Sequence, residues 1–170
     1  MIRSVVVLVF AALALCGCVL QSRTPLYDDS SGELVLGQIA GAALMSSWKD
    51  GAWVRDKDPV SIAIVGRHYE AHADAATIVL TFVKLQASWF VLQAVEVSKP
   101  AVYMLAEVRS EAAEIYPLAC SDLKKNPELA KWISHEGDDC FIQTGAPAKE
   151  LFGKLVKNPG EATSRLAIAN

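Results

Sequence analysis

Four residues at alternate positions, His68, Glu70, His72 and Asp74, form the densest run of chemically capable side chains in this sequence. On a strand, side chains alternate between faces, so these four share one face while Tyr69, Ala71, Ala73 and Ala75 take the other. Imidazoles and carboxylates are zinc-ligand types, which makes His68 and His72 the candidate metal ligands. Successive same-face residues lie about 6.5 Å apart, however, so four in a row do not converge on one ion. The expectation is a solvated strand face and no metal. The spacing also differs from the His-Glu-x-x-His of helical zinc proteases. His135, Glu136, Asp138 and Asp139 read as solvated residues in a loop, because a calcium loop needs oxygens at a longer regular spacing. Ser46-x-x-Lys49 matches the Ser-x-x-Lys of penicillin-binding enzymes, but that pattern should open a helix and be joined by Ser-Asp-Asn and Lys-Thr-Gly. Here Ser121-Asp122 is followed by Leu123 and no Lys-Thr-Gly exists. With no Gly-x-Ser-x-Gly, phosphate loop or dinucleotide fingerprint either, the expectation is no catalytic residue, no enzyme and no cofactor.

Chemistry of another kind sits at the start of the chain. Arg3 precedes an uninterrupted apolar run from Val5 to Leu15, followed by Cys16-Gly17-Cys18. A basic start, about ten apolar residues and a small residue before the cut make a secretory signal. A spanning helix needs about 20 apolar residues, and polar Gln21-Ser22-Arg23 arrive too soon for that. Leu15-Cys16-Gly17-Cys18 resembles the lipobox of bacterial lipoproteins, with Cys16 where that family usually has Ala, Ser or Thr. The resemblance covers the first 18 residues. It implies that Cys18 is alkylated with diacylglycerol, that residues 1–17 are removed as signal peptide, and that the new amino terminus is acylated. At about 0.8 kcal/mol per buried CH₂, several such chains give stable membrane attachment without a spanning helix. Val19 follows the cysteine, where Asp would resemble an inner-membrane retention signal; the implied address is the outer membrane, facing the periplasm. Cys120 and Cys140 then remain, and two cysteines in an oxidising compartment form one disulfide. It closes a loop of about 20 residues and contributes about 3 kcal/mol in the chain-entropy model.

Residues 18–32 read as the lipidated terminus and a flexible polar tether with a reach of about 20 Å, and residues 33–170 as a single periplasmic domain. The net charge of −3, with both signs interspersed, argues against nucleic acid as a partner.

From residue 42 to 119, β-prone runs alternate with turn residues every eight to twelve positions: 61–65, 68–73, 77–85, 88–96, 102–109 and 113–118. Asp50-Gly51 is the preferred pair for a two-residue hairpin turn. It sets Lys49 opposite Ala52 and Trp48 opposite Trp53, either as ordinary cross-strand packing or as an aromatic ligand platform. Residues 33–47 are ambiguous, since Gly37 and Gly41 weaken a helix and the alanines weaken a strand. Residues 122–125 and 127–134 read as short helical turns, and 140–144 as a returning strand. Residues 148–157 carry Leu151, Phe152, Leu155 and Val156 on one helical stripe, ended by Asn158-Pro159-Gly160.

The fold expected is α+β: an antiparallel meander of about six to eight strands, as a sheet or partly closed barrel, with short C-terminal helices packed on it. The expected function is that of a membrane-anchored, non-enzymatic module binding an envelope protein or small ligand. The alternative is a carrier of a small apolar ligand in a barrel cavity. Trp89, Phe90, Phe82 and Tyr103 speak for a filled core and against a cavity.

Overall fold

The computed structural model describes residues 19–37, 41–56, 59–73, 76–110 and 112–168; the stretch read as a signal peptide, Cys18 and Asp74 lie outside them. The strands are β1 (Leu20–Ser22), β2 (Gly41–Lys49), β3 (Ala52–Arg55), β4 (Val60–Val65), β5 (His68–Ala73), β6 (Ala76–Gln86), β7 (Trp89–Glu96), β8 (Ala101–Arg109), β9 (Ala112–Pro117), β10 (Ile133–Glu136), β11 (Asp139–Ile142) and β12 (Ser164–Ile168). The helices are α1 (Cys120–Leu123) and α2 (Ala148–Leu155). Eight strands close into an antiparallel barrel in the order β8-β7-β6-β5-β4-β2-β12-β9, with β9 returning to β8. The expected α+β class is therefore corrected: this is an antiparallel β-barrel carrying two short helices among the described residues.

Closure comes from one segment whose sequence is ambiguous and one that carries no strand signal. Gly41–Lys49 is strand despite its glycine and alanines, because Ala43 and Met45 point into the apolar interior. Ser164–Ile168 follows the expected terminator and inserts between β2 and β9, placing Leu166 inside. The hairpin at Asp50-Gly51 has the register the turn chemistry requires, with Trp48 opposite Trp53 and Lys49 opposite Ala52. Both turn residues have positive φ, 50° and 80°.

Alternation along the strands divides the apolar residues between two cores. Inside the barrel lie Tyr69, Leu80, Phe82, Phe90, Leu92 and Met104, among others. Outside, over β7 and β8, a second layer buries Tyr103, Leu105, Leu20, Trp132, Leu151 and Phe152. Of the four residues read as core filling, Phe82 and Phe90 face in, whereas Trp89 and Tyr103 face out. Full burial of a side chain such as Phe152, at 0% exposure, stabilises by roughly 1.5–3 kcal/mol. The stripe on α2 thus finds its partner on the outer wall of the barrel. Cys120 and Cys140 are joined, with Cα atoms 5.7 Å apart, and tie the start of α1 to β11 inside this layer.

The stretch read as a tether is the clearest departure. Val19, Leu20, Gln21 and Ser22 are buried, and β1 lies between β8 and β11. Residues 23–37 continue as a strap around the barrel. Short side chains and turn residues read as a tether here, but their backbone groups find partners on the wall. Gln93 Oε1 accepts from the backbone N–H groups of Leu26 and Tyr27 at 3.0 and 3.1 Å, and Gln93 Nε2 donates to the Tyr27 carbonyl at 2.8 Å. Further on, Glu33 N–H donates to the Phe82 carbonyl, and Leu36 N–H to the Tyr69 hydroxyl. Leu36 enters the inner core. Gly32 passes so close to the wall that a Cβ would sit 2.2 Å from the Arg67 carbonyl oxygen, so no other residue fits there.

Candidate functional site

Among the described residues, a small cavity lies inside the barrel. It measures about 20 Å³ and lies among Met45, Leu80, Leu92, Met104 and Leu166, about what one water needs and far below the volume of an apolar ligand. A groove of about 540 Å³ runs outside, between residues 117–119, α1 and residues 158–161, lined by Leu123, Leu129, Lys125 and Lys154 among others. Leu123 and Leu129 are themselves buried, and the lining is about equally polar and apolar.

His68, Glu70 and His72 do share the outer face of β5, as the alternation requires. The two Nε2 atoms stand 3.8 Å from opposite oxygens of Glu70, beyond hydrogen-bond length. His68 is not simply solvated: its Nδ1 lies 2.7 Å from Asp29 Oδ1, which also accepts from the Arg67 backbone N–H at 2.7 Å. Those two contacts hold the Asp29 carboxyl below its ordinary range, the Arg67 bond first and His68 second. The pair is a latch for the strap. Among the described residues, no group of three or more His, Cys, Asp or Glu is arranged to hold a metal ion. Ser46 and Lys49 are three apart on β2 and so face opposite sides, which leaves the Ser-x-x-Lys pattern without converging groups. Glu136 is paired with Arg23 at 2.6 Å, and Asp139 with Gln21 at 3.4 Å.

Beneath the strap, Ser22, Gln93 and Tyr103 form a buried polar cluster. The Tyr103 hydroxyl lies 2.7 Å from Ser22 Oγ, donates to Gln93 Oε1 at 3.1 Å and accepts from Leu26 N–H at 2.9 Å. Burial, and then the Tyr103 hydroxyl beside it, pushes the Tyr27 phenol up to about 12. Each of these groups is spent on holding the strap, so the cluster is structural.

The outer face of β7, β8, β9, β12, β2 and β3 is different. Trp89, Glu107, Glu114, Arg165, Ser46 and Arg55 are successive cross-strand partners in one transverse row. Aromatic pairs flank it. The Trp89 and Tyr116 ring centroids are 4.9 Å apart, and those of Trp48 and Trp53 are 5.1 Å apart. Trp48 is 46% exposed. Glu107 is nearly buried and accepts from Arg109 at 2.8 Å and from Ser88 at 3.3 Å. The Tyr116 hydroxyl sits 3.4 Å from both Glu107 and Glu114; burial, and then these two charges, raise its pKa. Arg165 Nε is buried without a hydrogen-bond partner. Only the Trp48–Trp53 pair of this face was legible in the sequence. The other members come from strands far apart in the chain, and no local spacing announces them.

Comparison with protein-family models, curated proteins and solved structures gives no match.

Proposed function

We propose that this chain is a non-enzymatic binding module of the bacterial envelope. A lipid on Cys18 holds it in the membrane, facing the periplasm, and it binds through the outside of a filled barrel. The observation that supports the binding mode is the packing among the described inner residues, where the cavity between Met45, Leu80, Leu92, Met104 and Leu166 measures about 20 Å³ and is too small for a ligand. The anchor is supported by Leu15-Cys16-Gly17-Cys18 and by the disulfide between Cys120 and Cys140, which suits an oxidising compartment. Val19 is already fastened in the fold, and consecutive Cα atoms are about 3.8 Å apart. A lipid on Cys18 would therefore hold the barrel against the bilayer with almost no spacer.

The carrier reading is favoured by one observation, the closed barrel with an apolar lining. A titration with the fluorescent apolar probe anilinonaphthalene sulfonate separates the two. A filled barrel gives no saturable uptake by the native protein. Stoichiometric uptake that a fatty acid displaces would overturn surface binding in favour of carriage.

A further inference from the structure

We propose that the aromatic and charged row across β7, β8, β9, β12, β2 and β3 is a binding surface for a neutral glycan chain. The inference deepens the envelope-module reading and rests on it. Three of the four tryptophans in the chain stand on this face, two of them opposite each other on the β2–β3 hairpin. Trp and Tyr offer large rigid contact area with a polar tip and little rotamer entropy to lose, which suits a recognition surface. Trp48 is 46% exposed and Trp53 partly exposed, while Trp89 and Tyr116 lean on the edge of the outer apolar layer and keep part of their rings at the surface.

The charges between the rings select the ligand. Glu107 and Glu114 are set against Arg165, Arg55 and Arg109, so the face carries donors and acceptors of both signs, with one more arginine than carboxylate. A polyanion would need a basic stripe. A surface of mixed charge and aromatic rings fits a ligand that is uncharged, rich in hydroxyls and apolar on its C–H faces, which is the chemistry of a sugar ring. The size of the site sets the length. Thr163 links the two aromatic pairs, since its carbonyl accepts from Trp48 N–H and its own N–H donates to Ile115, the neighbour of Tyr116. Tyr116 and Trp48 are thus two interstrand steps apart, about 9.6 Å. One sugar cannot reach both pairs, whereas a chain of several can. Strands of the closed barrel hold Trp89, Glu107, Glu114, Tyr116 and Arg165, while Trp53 and Arg55 stand on β3, which pairs with β2 outside the closed circuit.

The test is tryptophan fluorescence of the full mature chain titrated with oligomers of N-acetylglucosamine and of glucose, two and six units long. Saturable binding of a hexamer, at least tenfold tighter than the dimer, is expected. Trp48→Ala should weaken it tenfold or more, and His72→Ala on the far wall should leave it unchanged. Because Trp48→Ala also disturbs the hairpin, Glu114→Gln and Arg165→Gln, which spare it, should each weaken binding severalfold with unchanged melting temperature. Absence of saturable binding to every hexamer would overturn the proposal, as would full affinity in the Glu114 and Arg165 variants. Quenching of Trp48 by vesicles of brominated phosphatidylcholine, with no response to glycans, would also overturn it and assign the face to a membrane. Fatty-acid labelling of Cys18 and exclusion of the apolar probe do not depend on this face. They would stand if the glycan site failed.

Discussion

Replacing Gln93 with Leu tests whether the N-terminal strap is part of the fold or a tether resting on it. Gln93 is 2% exposed and joins four hydrogen bonds, three as acceptor and one as donor. Leucine keeps much of its volume but none of its polar atoms. Leu26 N–H would still reach the Tyr103 hydroxyl, 2.9 Å away. The N–H and carbonyl of Tyr27 would lose the Gln93 partner they have. Leaving a buried polar group unpaired costs about 1–3 kcal/mol, so two such groups predict a loss of about 2–6 kcal/mol if the strap stays packed. At about 2–4 °C per kcal/mol for a domain of this size, the melting temperature should fall by about 4–24 °C. If the strap instead peels away, Tyr27 regains water and the global loss shrinks, but the amides of residues 26 and 27 lose protection. Thermal melting combined with hydrogen exchange at those amides reads both outcomes. A variant that melts within about 0.5 kcal/mol of the parent, as ordinary surface changes do, with amides 26 and 27 still protected, would refute the clamp.

Replacing both Cys120 and Cys140 with Ala should cost about 3 kcal/mol, since the bridge closes a loop with a sequence separation of 20; denaturant titration that finds no loss would contradict it. On β5, His68→Ala should destabilise more than His72→Ala, because only His68 holds Asp29 among these two and its side chain is 16% exposed against 44%. Neither melt should respond to zinc or chelator; a shift of many degrees on adding zinc would revive the metal reading. The Asp29 latch carries a sign. Its folded pKa is depressed, so its stabilisation is complete above the unfolded value of about 3.9 and is lost as pH falls through the lower folded value. Asp29→Asn should therefore flatten the loss of stability in that acid window, and an unchanged acid slope would dismiss the latch.

The strand runs from residue 61 to 118 were legible because alternation and turn residues repeat there, and Asp50-Gly51 fixed its own register. Closure was not legible. Ser164–Ile168 is a five-residue strand whose partners, β2 and β9, lie far back in the chain, and short strands owe their state to those partners rather than to propensity. The strap failed for a related reason. Residues 19–32 read as polar and turn-rich by composition, and the order of the strap comes from distant acceptors, Gln93, Tyr103 and Phe82, that no local window contains. Alternation placed His68, Glu70 and His72 on one face, but the Asp29 that engages His68 arrives from 39 residues away. The transverse row on the outer wall is likewise a product of register. Glu107 and Glu114 are paired by the β8–β9 hairpin, while Arg165 meets them only through the closing strand.

The address on which the whole functional account depends comes down to one sulfur atom. Mass spectrometry of the N-terminal peptide from the mature protein, made in bacteria supplied with labelled fatty acid, tests it directly. The account predicts a chain beginning at Cys18, carrying diacylglycerol on its thiol and an acyl group on its amine, and complete loss of label with an uncut precursor in Cys18→Ser. A mature chain cut elsewhere and free of lipid, or a Cys18→Ser protein that labels fully, would contradict it.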